Sequence, residues 1–125
     1  MKRLYATAAL FVLLIIMGFV SLFYVYTARN EIVAQIDFTH NISQNGSGYL
    51  IEELERLEKI WVSHRDILYH HAHHEKLDEI SRELIRAKSL AKEGEYAYMR
   101  EALSAMRWLV ESVWENESAH ADNIF

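Results

Sequence analysis

A chain of 125 residues has room for one domain, and this one has no proline, no cysteine and only four glycines. It can form no disulfide, thiolate metal site or cysteine-linked lipid, and so few turn-forming residues predict an all-α protein. With Lys2, Arg3 and Arg29 set aside, ten of the 13 basic residues remain against all 18 acids, a formal balance of −8 that argues against nucleic acid as a partner.

The first element is residues 4 to 26, LYATAALFVLLIIMGFVSLFYVY, which carry no charge. Crossing a bilayer core takes about 20 apolar residues, so the run is long enough to be a transmembrane helix. Tyr5 at one end, and Tyr24 and Tyr26 at the other, suit the two membrane interfaces. A cleaved signal peptide has an apolar region of roughly 7–15 residues followed by a small-x-small site. Here the run is longer, and a cut after Ala28 would put the bulky Tyr26 at minus three, so an uncleaved signal-anchor is expected. Lys2, Arg3 and the α-amino group precede the span, whereas Arg29 follows it with acids close behind. The positive-inside rule then places the N-terminus in the cytoplasm and the body outside, on a single-pass protein of the cell membrane. Residues 1–29 form the cytoplasmic stub and anchor, and residues 30–125 the extracytoplasmic body.

In the body the apolar positions recur at helical spacing. Ile32, Val33, Ile36 and Ser43 continue the anchor helix on one face. NGSG at 45–48 reads as a loop. Leu50, Leu54, Leu57, Trp61 and Leu68, with His64 in the gap, give a second segment. A third follows at Leu77, Ile80, Leu84, Ala87 and Ala91, and Gly94 marks the next turn. Met99, Leu103, Met106, Val110 and Val113 give a fourth. Alternating steps of three and four make seams of the kind used in helix bundles and coiled coils. Trp61 and Trp108 are assigned to core packing. Short connections favour antiparallel neighbours, and hence a bundle of about four helices. One helix from 49 to 92 would be unusually long, so a turn is expected near residues 73–75 although no glycine or proline marks it. About 24 residues in the second segment span roughly 36 Å, enough to return to the membrane. The histidine-rich turn, His120 and the C-terminus are therefore expected at the membrane-proximal end.

Trp61, Leu68, His74, Leu77, Asp78 and Ile80 form the pattern W-x6-L-x5-H-x2-LD-x-I, and the chain closes on Asn123-Ile124-Phe125. With the N-terminal membrane helix and similar length, this resembles domain of unknown function family 4363, small single-pass membrane proteins of Gram-positive, often spore-forming, bacteria. The resemblance covers most of the chain. It carries no established activity. It implies an accessory role, because members are often encoded beside a polytopic membrane family, domain of unknown function family 421. Only His74 matches the family's histidine; His70, His71 and His73 are peculiar to this chain. A Trp-containing polar turn is expected near 45–49, where NGSGY stands instead.

Four of the seven histidines fall within His70–His74. On a continuous helix Asp66, His70, His73 and His74 share a face, and the pairs Asp66–His70 and His70–His74 have chelating i, i+4 spacing. Imidazole with carboxylate suits zinc or nickel, which are the only cofactors the sequence suggests. HEXXH is absent, which argues against a zinc protease. The expected reading is nevertheless a solvated stretch without ligand or cofactor, with His74 bonding backbone at the turn. A third reading is a pH response, in which histidines beside anionic head groups gain charge on mild acidification and tighten docking to lipid or to an acidic partner.

No Gly-rich phosphate loop is present, and no cysteine nucleophile. Ser63 and His64 should point apart on a helix. Glu52, Glu53, Glu55 and Glu58, with Arg56 and Lys59, read as a solvated face. A small bundle has a tight core with little room for a pocket, so no enzymatic activity is expected. Asn123, Ile124 and Phe125 read either as a lid on the bundle or as an anchor for a membrane partner. The expected function is a non-enzymatic accessory or interaction subunit of a membrane complex, contacting its partner through the first helix, His74 and Asn123–Phe125. The alternative is a metal- or pH-responsive extracytoplasmic sensor using the His70–His74 cluster, or a sensor bundle of the chemoreceptor kind. Whether helices also pair between chains is left open.

Overall fold

The computed structural model describes residues 1–125 except 46, 47, 70–73 and 125, with backbone alone for 116–124. The described residues form four helices: α1 (Lys2–Gln44), α2 (Leu50–Leu68), α3 (His74–Lys92) and α4 (Tyr96–Ile124).

The longest element, α1, runs unbroken for 43 residues. Its N-terminal half is apolar on every side, is long enough to cross a membrane, and buries none of its most apolar stretch against the rest of the chain. Two threonine hydroxyls near its ends are satisfied locally: Thr7 and Thr27 donate to the carbonyls of Arg3 and Phe23, each at 2.8 Å. Burial begins at Ala28 and recurs at Ile32, Val33, Ile36, Thr39 and Ser43. The same helix thus changes from an all-round apolar rod to an amphipathic one without a break. The fully buried Thr39 hydroxyl donates back to Gln35.

Each of α2 and α3 buries the stripe that its spacing dictates, Leu50–Leu54–Leu57–Trp61–Leu68 and Leu77–Ile80–Leu84–Ala87–Ala91. Glu52 and Glu53 in the first turn of α2, and Arg65 in its last, complement the helix dipole. At the end of α3, Gly94 takes the left-handed conformation at φ 77°. There the Gly94 and Glu95 N–H groups donate to the carbonyls of Ala91 and Leu90, a Schellman ending that satisfies the last turn and redirects the chain into α4. Met99, Ala102, Leu103, Met106, Leu109, Val110, Val113 and Trp114 form the buried face of α4.

The helices pack around a square, α1 on α2, α2 on α3, α3 on α4 and α4 on α1, with the diagonals apart. Cross-helix contacts fix the directions as antiparallel. Gln35 meets Glu53 and Glu31 meets His64 between α1 and α2; Trp61 meets Ser81 between α2 and α3; Asp37 meets Arg107 between α1 and α4. The α1–α2 and α3–α4 connections lie at the end far from the apolar half of α1. The α2–α3 connection and the C-terminal part of α4 lie at the near end. Burying each leucine-sized side chain contributes about 1.5–3 kcal/mol, and the core runs as one cluster from Ala28 to Trp114.

Three details depart from the sequence expectations. Trp61 is buried, with its indole N–H donating to Ser81 at 2.8 Å, but Trp108 is 67% exposed and is not a core residue. It is two positions from both Met106 and Val110, about 200° around the helix from each, so the seam that buries them turns Trp108 outward. His74 and Glu75, expected in the turn near 73–75, are helical and belong to α3, while residue 73 lies outside the described residues. Finally, Glu53 and Glu58 do not face only solvent: Glu53 accepts from Gln35 of α1, and Glu58 pairs with Lys88 of α3.

Candidate functional site: a polar collar where α1 enters the bundle

Seven residues along a helix is close to two full turns, so Tyr24 and Glu31 lie on the same side of α1, about 10 Å apart. His64 of α2 reaches between them. Its Nδ1 is 2.8 Å from the Tyr24 hydroxyl and its Nε2 is 3.0 Å from a Glu31 carboxylate oxygen. The Tyr24 and His64 rings meet edge to face, with centroids 5.7 Å apart. The His64 side chain is only 12% exposed, whereas Glu31 is half exposed. With a neutral ring these partners select one tautomer: Nε2–H donates to Glu31, and Nδ1 accepts from the Tyr24 hydroxyl. With a charged ring both nitrogens donate, and the Glu31 contact becomes an ion pair. The collar is bonded in either protonation state.

On the other side of α1, the indole N–H of Trp114 donates to the main-chain carbonyl of Val25 at 2.7 Å. Above it, charges alternate along the α1–α4 seam. Arg29 lies 3.6 Å from Glu111, Glu111 lies 3.4 Å from Arg107, and Arg107 lies 2.9 Å from Asp37. That last contact is off the donor axis and leaves the buried Arg107 Nε without a hydrogen bond, but Arg107 Nη2 donates to the other Asp37 oxygen at 3.4 Å, so the pair is a hydrogen-bonded ion pair. These groups are partly exposed, and each pair contributes little by itself. Their effect is to fix rotation and register of α4 on α1. What the arrangement does is clamp the last turns of the apolar half of α1 to two helices of the bundle.

At the near corner of α2 and α3 the Tyr69 hydroxyl donates to Asp78. That bond and the Asp78 charge, together with burial, raise the Tyr69 phenol above its ordinary value. The His74 ring packs against Tyr69, with centroids 4.7 Å apart; the turn backbone at 70–73 to which a hydrogen bond was expected lies outside the described residues. A shallow groove between α2 and α3, edged by Glu55, Lys59 and Val62, is bridged by the Glu58–Lys88 pair.

Of the metal-ligating set suggested by the sequence, His70 and His73 fall outside the described residues, as does His71. Asp66 is exposed beside its neighbour Arg65, and His74 is exposed with its ring against Tyr69. Among the described residues no three His, Asp or Glu side chains gather at metal-binding distance. Asn123 and Ile124 lie in the last turn of α4, with their side chains, like that of His120, outside the description; Phe125 is outside it altogether. The bridging of Tyr24 and Glu31 by His64 is not among the sites expected from sequence. Its signal was a histidine standing at a seam position of α2, where leucine would be the default.

The family whose model matches the chain, over residues 19–124, is described as Domain of unknown function (DUF4363). No curated protein and no solved structure matches it. The matched span takes in the C-terminal part of the apolar segment, the collar and the bundle, and by that match the chain belongs to the DUF4363 family.

Proposed function

We propose that this chain is a membrane-tethered helical module, with its bundle outside the cytoplasm, that serves as a non-enzymatic accessory subunit of a membrane protein complex. The observation that carries this reading is the unbroken passage of α1 from an unburied apolar rod into the core of a four-helix bundle. A flexible tether would let the bundle tumble; a continuous helix clamped at Tyr24, Val25 and Glu31 holds it at one height and rotation above the bilayer. Fixed presentation is what a subunit docking beside a membrane-embedded partner needs. The acidic body agrees with an association guided by charge. The partner in this reading is a polytopic membrane protein, with domain of unknown function family 421 as the first candidate.

The test is to tag the full-length chain in its native cell, crosslink in the intact membrane, purify in mild detergent and identify what accompanies it. A stoichiometric polytopic protein is the expected result. Recovery of the chain alone would sink the reading.

A further inference from the structure

Trp61 and Trp114 are buried, and their indole N–H groups are bonded to Ser81 and to the Val25 carbonyl. Trp108 is the opposite case, two-thirds exposed at the centre of the outward face of α4. Around it the surface is low: Ser104 is exposed, Ala105 is half-buried, and the half-buried Ser112 accepts from Lys76 of α3 at 3.3 Å at the edge toward that helix. Glu101 and Glu115 stand seven residues to either side, hence nearly on the same face and about 21 Å apart. Both are exposed, and among the described residues neither meets a cation. Glu111, by contrast, is held by Arg29 and Arg107.

We infer that this face is a docking surface for a basic segment of another protein, with Trp108 as the anchor and Glu101 and Glu115 as the flanking charges. The inference rests on the accessory-subunit reading and names the surface that serves it. Tryptophan is among the residue types most enriched in interface hot spots, and its exposed face also attracts Lys or Arg. The charge pattern decides between occupants. A second copy in antiparallel two-fold pairing through Trp108 would set Glu101 against Glu115, and a parallel pair would set each glutamate against itself; both are repulsive. Lipid is excluded by height, since Trp108 is six residues from the Trp114 collar position, about 9 Å farther from the apolar segment, and by the flanking carboxylates. A protein segment carrying Lys or Arg on both sides of an apolar patch is complementary in charge and in shape.

The test uses the full-length chain in a nonionic maltoside micelle. The probe is a fluorescent 15-residue helical peptide with two leucines at its centre and lysines seven residues to either side; the control peptide has glutamates instead. By anisotropy the lysine peptide should bind saturably, Trp108→Ala should weaken it at least ten-fold, and Glu101→Gln/Glu115→Gln should weaken it and flatten its salt dependence. Ile85→Ala, on an exposed position of α3, should change nothing. Equal binding by Trp108→Ala, equal binding of the glutamate peptide, or an equal loss in Ile85→Ala would overturn the assignment. In native membranes Trp108→Ala should reduce the co-isolated partner at least ten-fold with an unchanged melting temperature. A retained partner would overturn this surface and leave the accessory reading standing. If the wild-type chain brings no partner, the accessory reading fails and the peptide titration alone decides the surface.

Discussion

Trp114 and Val25, 89 residues apart in sequence, are joined by a hydrogen bond from an indole N–H to a main-chain carbonyl inside a helix. A helical carbonyl has a second lone pair, so Val25 can accept from Trp114 without giving up its place in the α1 ladder. The bond therefore reads as an addition at the closing edge of the core, where α4 reaches the apolar half of α1. Trp114→Phe keeps most of the ring and removes the donor, and should cost about 0.5–1.5 kcal/mol. Trp114→Ala should cost about 3–5 kcal/mol, because a buried aromatic is lost as well. Denaturant unfolding of the full chain in maltoside, followed by circular dichroism, separates the two. Equal losses would mean that the indole N–H contributes nothing.

His64 and Tyr24 should be coupled energetically. Tyr24→Phe and His64→Leu each remove the 2.8 Å bond, and His64→Leu also restores an apolar residue to the α2 seam. The two substitutions should therefore combine non-additively, with an interaction energy of about 0.5–1.5 kcal/mol from a double-mutant cycle. Additive behaviour would show that the collar contact carries no stability.

The bundle was legible because steps of three and four between apolar residues map directly onto a buried helix face, and all four faces appeared at the positions read. The same arithmetic should have placed Trp108 outside: it is off the Met106–Val110 seam, yet a tryptophan's apolarity drew it into the core assignment. The collar was not legible. Tyr24 and Glu31 are local features of α1, but their bridging by His64 depends on the register between α1 and α2, which no local pattern encodes. Tyr24 was read from its position as an interfacial aromatic, and Glu31 as one more acid of the body. The α2–α3 break was expected on length alone, which gives a location to within a few residues but no more.

Gly94 is the one described residue with positive φ, at 77°. A Cβ there would meet nothing within 4 Å, so any penalty comes from the backbone rather than from crowding. Gly94→Ala should destabilise by about 1–2 kcal/mol, the cost of holding an L-residue in the left-handed region. Gly94→Asn should recover part of the loss, since asparagine tolerates that conformation. Melting temperatures in the order Gly, Asn, Ala are expected. An unchanged value for Ala would indicate that the Schellman ending rearranges freely.

Tyr69 offers a test of the near corner that reads one residue directly. Its hydroxyl donates to Asp78, whose carboxylate holds the proton on the phenol and whose charge opposes formation of a phenolate beside it. The folded value is therefore raised above the 10.0 of a free phenol. Between those two values the unfolded chain has released the proton and the folded chain has not, so the unfolded state binds fewer protons and stability falls as pH rises. The contribution is fully present below pH 10 and is lost as pH climbs through the folded value. The difference in absorbance at 295 nm between the wild-type chain and Tyr69→Phe isolates this one phenol, which should ionise later than a free tyrosine. Asp78→Asn keeps an acceptor but removes the charge, and should move that ionisation earlier. If the Tyr69 signal appears at the free-phenol position in the wild-type chain, Asp78 is not its partner in solution, and the pairing that ties the end of α2 to the first turns of α3 is absent.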